Sequence, residues 1–431
     1  MASGAPPVLP ENGAAAARDA WLTTAVALYT MATTVSFAST TLSSRAFIEP
    51  VRLLALGAAL GIASLVFLQR LRLARGTVLG IVVYGVALCY GVMLASANGG
   101  MVHISEQLAA DVVLALTGIY LFSSIGQNIL PTRAVLLYLV FAGVVLALTI
   151  AVGGFTMAYP PQFTYEYAAS EAGVAIYYSQ GVSKFFGLAA IAAIFVAFSA
   201  PSRIVRLLLF GVCLGALGLS LIGGARGDSV AAALIVLAYS SYRSPGSLLI
   251  WLGAVGGAVL FLQGTIVLED FMIFNRLMNL QDDVGLREIL LRQAAQLLAE
   301  QPACLTVGCG FGFFQRYYGY DSGLYPHNIA LEAAIVWGIP LVLATAVLVF
   351  FGFVTYLRRS RSQNDAFVLF YAYFLFLFLK SGTILGAWFV LGGSIHFLGI
   401  TLGELVRHRQ VRPQRRANQG RELPGAAWQQ E

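Results

Sequence analysis

Apolar runs of about twenty residues, long enough to cross a bilayer, alternate with short polar connections along nearly the whole chain. They lie near 21–41, 51–69, 77–97, 107–126, 133–155, 183–200, 204–222, 228–242, 247–268, 329–356, 366–383 and 386–405. This pattern predicts an all-α polytopic membrane protein with about twelve transmembrane helices. The run at 228–242 is short enough for a re-entrant segment, which would leave about eleven. One stretch breaks the rhythm: from Val267 to Pro340 the chain is polar and loop-rich. Loops longer than about fifteen residues are uncommon unless they are functional or disordered, and this one carries too many apolar and aromatic residues for disorder. It is therefore the expected functional part.

The polar connections give an orientation. Arg70, Arg72 and Arg75, then Arg133, Arg203, Arg206 and Arg243, then Arg358, Arg359 and Arg361, and finally the tail Arg407 to Arg421 fall in alternate connections. With twelve spans and a cytoplasmic N-terminus, every compact basic cluster lies inside. The intervening loops are poor in basic residues: Asn98 to Glu106 has no Lys or Arg, and Thr156 to Ser183 holds only Glu166 and Glu171 as charges. The positive-inside rule then puts the long insert on the outer face, the periplasm in a Gram-negative cell. The expected organisation is a cytoplasmic segment 1–20, a membrane domain 21–405 including a periplasmic loop 269–326 with short helices, and a basic cytoplasmic tail 406–431. Met1 to Arg18 lacks a basic n-region followed by an apolar core and cleavage site, so no cleaved signal peptide is expected.

Composition narrows the class. With 58% hydrophobic and 11% charged residues, this is a membrane protein rather than a soluble enzyme on an anchor. The net charge of +6 is explained by orientation rather than by a nucleic-acid ligand. Four cysteines do not make a disulfide framework. Cys89 and Cys213 are expected in the core, while Cys304 and Cys309 share the outer loop and can pair in an oxidising space.

Four arginines of the loop, Arg276, Arg287, Arg292 and Arg316, and Arg226 in another outer loop run against the charge rule and call for a reason. Arg226 lies in Gly223-Gly224-Ala225-Arg226-Gly227-Asp228. An arginine at that depth faces a partner or an aqueous cavity, and flanking glycines let an anion approach the backbone. The bland alternative is a surface pair with Asp228. Asp282-Asp283 suit a helix start better than a metal site, with apolar positions 286, 289, 290, 294 and 297 along one face of the helix that follows. In that helix Glu288 and Arg292 are spaced to pair, which leaves Arg287, roughly 140° away from Arg292, the freer cation.

His327, in Tyr325-Pro326-His327-Asn328-Ile329, sits where the loop meets an apolar run. A neutral imidazole there can take a proton from a hydroxyl group, although an interfacial histidine bonded to backbone is the simpler reading. Gly308-Cys309-Gly310-Phe311-Gly312-Phe313 is either an anion-cradling turn or, more simply, a turn packing aromatics. Thr156 to Gln180, with Tyr159-Pro160-Pro161, suits either a sugar cleft or an interfacial tyrosine belt. The sequence has no Gly-x-Ser-x-Gly elbow and no cluster at metal-ligand spacing. Cations plus one base at headgroup depth suit an enzyme acting on a lipid-linked phosphate without metal or cofactor.

Taken together, Pro326-His327-Asn328-Ile329-Ala330-Leu331-Glu332 with Gly338-Ile339-Pro340, Arg287 with Glu300-Gln301-Pro302, the glycine turn 308–313 and Gly223-Gly224-Ala225-Arg226-Gly227 resemble the O-antigen polymerase and ligase superfamily of bacterial envelope glycosyltransferases. The first half of the chain is similar only in topology. The resemblance implies metal-independent transfer, on the periplasmic face of the inner membrane, from an undecaprenyl-diphosphate-linked glycan donor. The acceptor is a glycan hydroxyl for a polymerase or a lipid A-core sugar for a ligase. Membrane lipid and a chain-length-regulating protein are the other implied partners. His327 would assist the acceptor, Arg226 and Arg287 would hold the leaving diphosphate, and Arg276, Arg292, Lys184 and Glu332 would be further contacts. Lys184 departs from the arginine that members often carry there, which keeps the charge but loses the bidentate fork. The polymerase is favoured because the outer loops hold few further cations and are opposed by Glu166, Glu171, Glu269, Asp270 and Asp321. The alternative from another class is a secondary transporter or lipid flippase, which would usually show two related halves with broken helices at the midplane.

Overall fold

The computed structural model describes residues 75–103, 132–152, 157–158, 162–163, 180–222, 226–246, 285–321, 324–359 and 365–419, with scattered helical positions between 21 and 65 and at 249, 251 and 253. These residues are almost entirely helical. In chain order the helices are α1 (Arg75–Ala97), α2 (Thr132–Val152), α3 (Gln180–Ser199), α4 (Arg203–Ile222), α5 (Arg226–Arg243), α6 (Gly285–Glu300), α7 (Pro302–Thr306), α8 (Phe313–Tyr318), α9 (Ile329–Trp337), α10 (Ile339–Arg359), α11 (Asp365–Ser381) and α12 (Trp388–Gln419). One small departure from all-α is an antiparallel pair, β1 (Met157–Ala158) with β2 (Gln162–Phe163). Its register pairs Met157 with Phe163 and Ala158 with Gln162, while Tyr159-Pro160-Pro161 and most of the loop 156–180 lie outside the described residues. The predicted run 107–126 and loop residues 269–284, including Asp282-Asp283, lie outside the described residues, as do most of 21–41, 51–69 and 247–268.

Four stretches are long and apolar enough to cross a membrane: Gly76–Ala97, Arg203–Leu221, Ile339–Arg358 and Phe389–Val406. Val135–Leu148, Ser183–Ser199 and Ala366–Ser381 are shorter apolar helices. This is a membrane protein by the exposure of its helices as well as their length. Val82, Val86 and Met93 on α1, Leu207, Leu208 and Leu214 on α4, and Leu343, Val347 and Phe350 on α10 all stand open. Such a belt of bare aliphatic surface is costly in water and costs nothing in lipid. Cys89 is exposed on the same kind of surface, contrary to its expected place in the core, whereas Cys213 is buried. Helix α1 is apolar around its whole circumference, so its sequence carries no signal separating lipid-facing from core-facing positions.

Helix α3 is the axis of the bundle. It packs against α2, α4, α5 and α11, and from Phe185 to Ala197 its described side chains are buried on every face. Gly187, Ala189, Ala190, Ala192 and Ala193 keep it thin, so its neighbours approach closely without the help of a hydrophobic effect that lipid does not supply. The contacts fix the direction of each helix. Phe198 meets Phe210 and Ser183 bonds Ser220, so α3 and α4 are antiparallel. Phe195 stacks on Tyr239 while Gly187 abuts Ala232, so α3 and α5 are parallel. Asp228 of α5 meets Lys380 of α11. The start of α3, the end of α4, the start of α5 and the end of α11 therefore share one end of the bundle.

Two predicted boundaries are corrected. The run 329–356 is not one span, because α9 stops at Trp337 and α10 starts at Ile339. Gly338 breaks it with φ 79, a conformation open to glycine, and Pro340 in the first turn of α10 starts the next helix without losing a hydrogen bond. The run 386–405 also lengthens: α12 begins at Trp388 and continues through much of the expected tail to Gln419.

Candidate functional site

The chain Pro326-His327-Asn328 enters α9 through an asparagine cap. Asn328 Oδ1 accepts from the N–H groups of Ala330 at 2.9 Å and Leu331 at 3.0 Å, satisfying donors that a helix start leaves free. Its Nδ2 donates to the Leu379 carbonyl at 2.7 Å, which ties the entry of α9 to the end of α11. His327, just before the cap, has φ 52, the one positive value at a non-glycine position among the described residues. Such a backbone costs on the order of 1 kcal/mol and persists where the surroundings over-determine it. Buried Pro326 on one side and the doubly anchored Asn328 on the other do so here.

The His327 ring lies against Tyr325, with centroids 4.0 Å apart and planes at 35°. Its Nδ1 is buried and has no hydrogen-bond partner among the described residues. Burial first, and the positive charge of Arg287 second, hold its pKa below the usual value of 6.5. The imidazole is thus neutral at pH 7, the form that can accept a proton. The backbone-bonded interfacial histidine, the simpler expectation, is not what Nδ1 shows.

Arg287 belongs to α6, whose Leu290, Ala294 and Leu297 are buried against α9 and the disulfide region. Ile289, expected on that face, is exposed instead. Arg287 is half-buried, whereas Arg292 is exposed and bonded to Glu288 at 2.6 Å. Arg292 is thus turned away from the site by its intrahelical partner. Glu332, one turn into α9, accepts the N–H of Ile384 at 2.8 Å from the α11–α12 connection. Burial pushes its carboxyl up to about 7, with the Ile384 N–H acting the other way. α9 has nine residues, too few to cross a bilayer. Glu332 also raises the pKa of half-buried Tyr325, after burial itself, and Arg287 opposes the rise, so His327, Tyr325, Arg287 and Glu332 are electrostatic neighbours.

A second group adjoins the first. Lys184, at the start of α3, interacts electrostatically with Asp228, Lys380 and Arg287. Asp228 is 2% exposed and accepts from Lys380 Nζ at 2.9 Å. Asp228 is thus part of a buried pair with Lys380 rather than a surface group, and the side chain of Arg226, its expected partner, lies outside the described residues. Arg226 opens α5 two residues before Asp228. Three serines hold these helix ends together. Ser183 and Ser220 each donate to the other's carbonyl at 2.8 Å, and Ser229 donates to the Ser220 carbonyl at 2.8 Å. Arg276 lies outside the described residues.

The glycine turn serves packing rather than an anion. The N–H groups of Cys309 and Gly310 donate to the carbonyls of Ile335 and Val336 at 2.7 and 3.1 Å, and that of Phe311 to Gly91 at 3.4 Å. Donors spent on the last carbonyls of α9 are not available to phosphate. Gly308 and Gly310 have φ of 87 and 83, and a Cβ on Gly310 would run into the α1 backbone at Leu94 and Ala95. Cys304 and Cys309 are joined as a disulfide at the base of the turn.

Of the sequence candidates, Lys184, Arg287, His327 and Glu332 are brought together, with Arg226 at the neighbouring helix start. Lys380 was missed. Its signal was a lysine closing an apolar run, and charges at membrane depth commonly mark a site. The chain matches no protein-family model and no curated protein.

Proposed function

We infer that this chain is a multi-pass membrane glycosyltransferase that transfers a glycan from undecaprenyl diphosphate to an acceptor sugar hydroxyl, most simply as an O-antigen or related surface-polysaccharide polymerase. The observation that carries this reading is the meeting of half-buried Lys184, Arg287 and Lys380 with a neutral, strained His327 at one end of an apolar helix bundle. Such a layer suits a polyanionic headgroup whose lipid tail stays in the membrane.

The chemistry follows from these groups. The acceptor oxygen forms a bond to the donor's anomeric carbon as the bond from that carbon to the phosphate oxygen breaks, and His327 takes the acceptor's proton. Negative charge grows on the departing diphosphate, where Arg226, Arg287 and Lys184 stabilise it. Fixed cations in a poorly hydrated cleft are worth on the order of 3 kcal/mol each to such a transition state. Glu332 contributes by fixing the α11–α12 connection beneath α9.

About twelve spans, with loop 269–326 in the periplasm of a bacterial inner membrane, complete the proposal. The disulfide Cys304–Cys309 favours an oxidising face for the loop. Arg203, Arg206, Arg243 and Arg358, exposed at the opposite helix ends, favour a cytoplasmic face there. Polymerase and ligase share this donor chemistry and separate in a deletion strain's lipopolysaccharide on a gel. Loss of a polymerase leaves core bearing one repeat unit. Bare core with polymer stranded on the carrier would make it a ligase, and unchanged surface polysaccharide would defeat the proposal.

A further inference from the structure

Lys380 and Asp228 come from helices 152 residues apart in sequence and form an ion pair whose environment is unequal on its two sides. Asp228 is sealed, with 3% of its side chain exposed, whereas Lys380 keeps 27%. A lysine ammonium has three donors, and one of them is on Asp228 Oδ1. Charge around the pair does not balance either, because Asp228 acts on Lys184 as well as on Lys380, and Arg287 adds a third cation. Among the described residues Asp228 is the carboxylate that acts on Lys184, and Glu332 near Arg287 is held partly protonated by burial, so three cations outweigh the negative charge. Asp228 also occupies the first turn of α5, where the helix dipole favours negative charge.

The surroundings hold this arrangement in place. The Lys380 stem lies across Gly227, in the space that a Cβ at that position would fill. Leu379, the residue before Lys380, receives the Asn328 amide, so the ammonium follows directly on the anchor that positions His327. The serine bonds between Ser183, Ser220 and Ser229 keep Lys184 and Asp228 in register.

We propose that Lys380 is a further anion-binding residue of the donor-diphosphate site, with Asp228 as the counter-ion that positions it until the phosphate group arrives. This rests on the glycan-transfer reading above. When the diphosphate enters, Lys380 keeps one donor on Asp228 and turns another onto a phosphate oxygen. A purely structural pair makes the opposite demand, because it matters only that neither partner is left buried alone.

The test uses the full chain in phosphatidylcholine nanodiscs, titrated calorimetrically with inorganic pyrophosphate and with farnesyl diphosphate as a short prenyl diphosphate. Lys380→Gln is expected to weaken both by about 10-fold, the loss of one charge-assisted hydrogen bond. Asp228→Asn is expected to bind at least as tightly as the parent, because it removes a competing negative charge. The double variant Lys380→Gln/Asp228→Asn decides the matter even if the single lysine variant folds poorly: it is expected to stay weak, whereas recovery to parental affinity would overturn the proposal. Parental affinity in Lys380→Gln, or no pyrophosphate binding by the parent, would overturn it too. Displacement of pyrophosphate by phosphatidylglycerol added to the discs, but not by farnesyl diphosphate, would assign the cations to headgroups and end the donor assignment. If the expected pattern holds but labelled lipid-linked glycan is never transferred, the anion site stands and the glycosyltransferase reading fails.

Discussion

At one end of the bundle Arg203, Arg206, Arg243 and Arg358 stand exposed at helix termini, whereas at the other Lys184, Arg287 and Lys380 are half-buried around Asp228. The charges have the same sign and differ in what surrounds them. An exposed arginine at a helix end costs little, and its pairings contribute about 0–1 kcal/mol. Arg206 illustrates this, bonding the Ala200 carbonyl at 3.1 Å while its side chain stays open. Cations taken partly out of water cost several kcal/mol each unless something compensates. Among the described residues Asp228, with Glu332 kept partly protonated by burial, offsets only part of that, and on the proposed reading a ligand completes the second cluster. The exposed set fits orientation in the membrane, and the enclosed set fits chemistry.

The difference breaks most sharply at the base. His327→Asn keeps a side chain that tolerates positive φ while removing the proton acceptor, so transfer is expected to fall by about 10²–10⁴ with the thermal transition unmoved. Near-parental turnover by the purified variant would make His327 structural. Arg287→Gln is expected to cost about 10²–10³ in turnover and to change its pH dependence. Burial and Arg287 both lower the His327 pKa, so activity should be lost only as pH falls below the ordinary histidine range. Removing Arg287 lets that pKa rise, and the acid limb of kcat/KM in the variant should move to higher pH. A limb that stays put would separate Arg287 from His327. Because the cations are assigned the role of charge stabilisation, transfer should persist in EDTA.

Smaller effects test the packing and the far end. Gly310→Ala forces a Cβ into the α1 backbone at a positive φ and should lower stability by more than about 1 kcal/mol, visible as a lower Tm in detergent. Arg292→Gln and Arg203→Gln should leave turnover within about twofold of the parent, since the first side chain is turned onto Glu288 and the second is exposed. A deep loss in Arg292→Gln would erase the distinction between the enclosed and exposed cations.

Legibility in the sequence followed the range of each interaction. Apolar runs at 77–97, 133–155, 183–200, 204–222, 228–242 and 366–383 match α1 to α5 and α11 closely, because helix formation by an apolar run is a local matter. The Glu288–Arg292 pair was legible for the same reason, as its partners are four residues apart. The cysteines were marked as able to pair, and the structure joins them. What sequence could not supply was contact between distant segments. The partner of Asp228 sits 152 residues away, and the donors of the glycine turn end on carbonyls of α9 and α1. The glycine turn was already read more simply as packing aromatics, whereas the place of Lys380 was not visible until those helix ends were brought together. The exposure of Cys89 was hidden for another reason, since lipid and protein interior are equally apolar.

The most direct measurement reconstitutes the purified chain in liposomes with a labelled undecaprenyl-diphosphate glycan and follows both the product and the side of the membrane on which it lies. New glycosidic bonds and released undecaprenyl diphosphate are expected, abolished by His327→Asn, strongly reduced by Arg287→Gln and retained by Arg203→Gln; together they would establish glycan transfer. Movement of the intact donor across the bilayer without bond formation would contradict it, and the enclosed cations would then belong to a transporter.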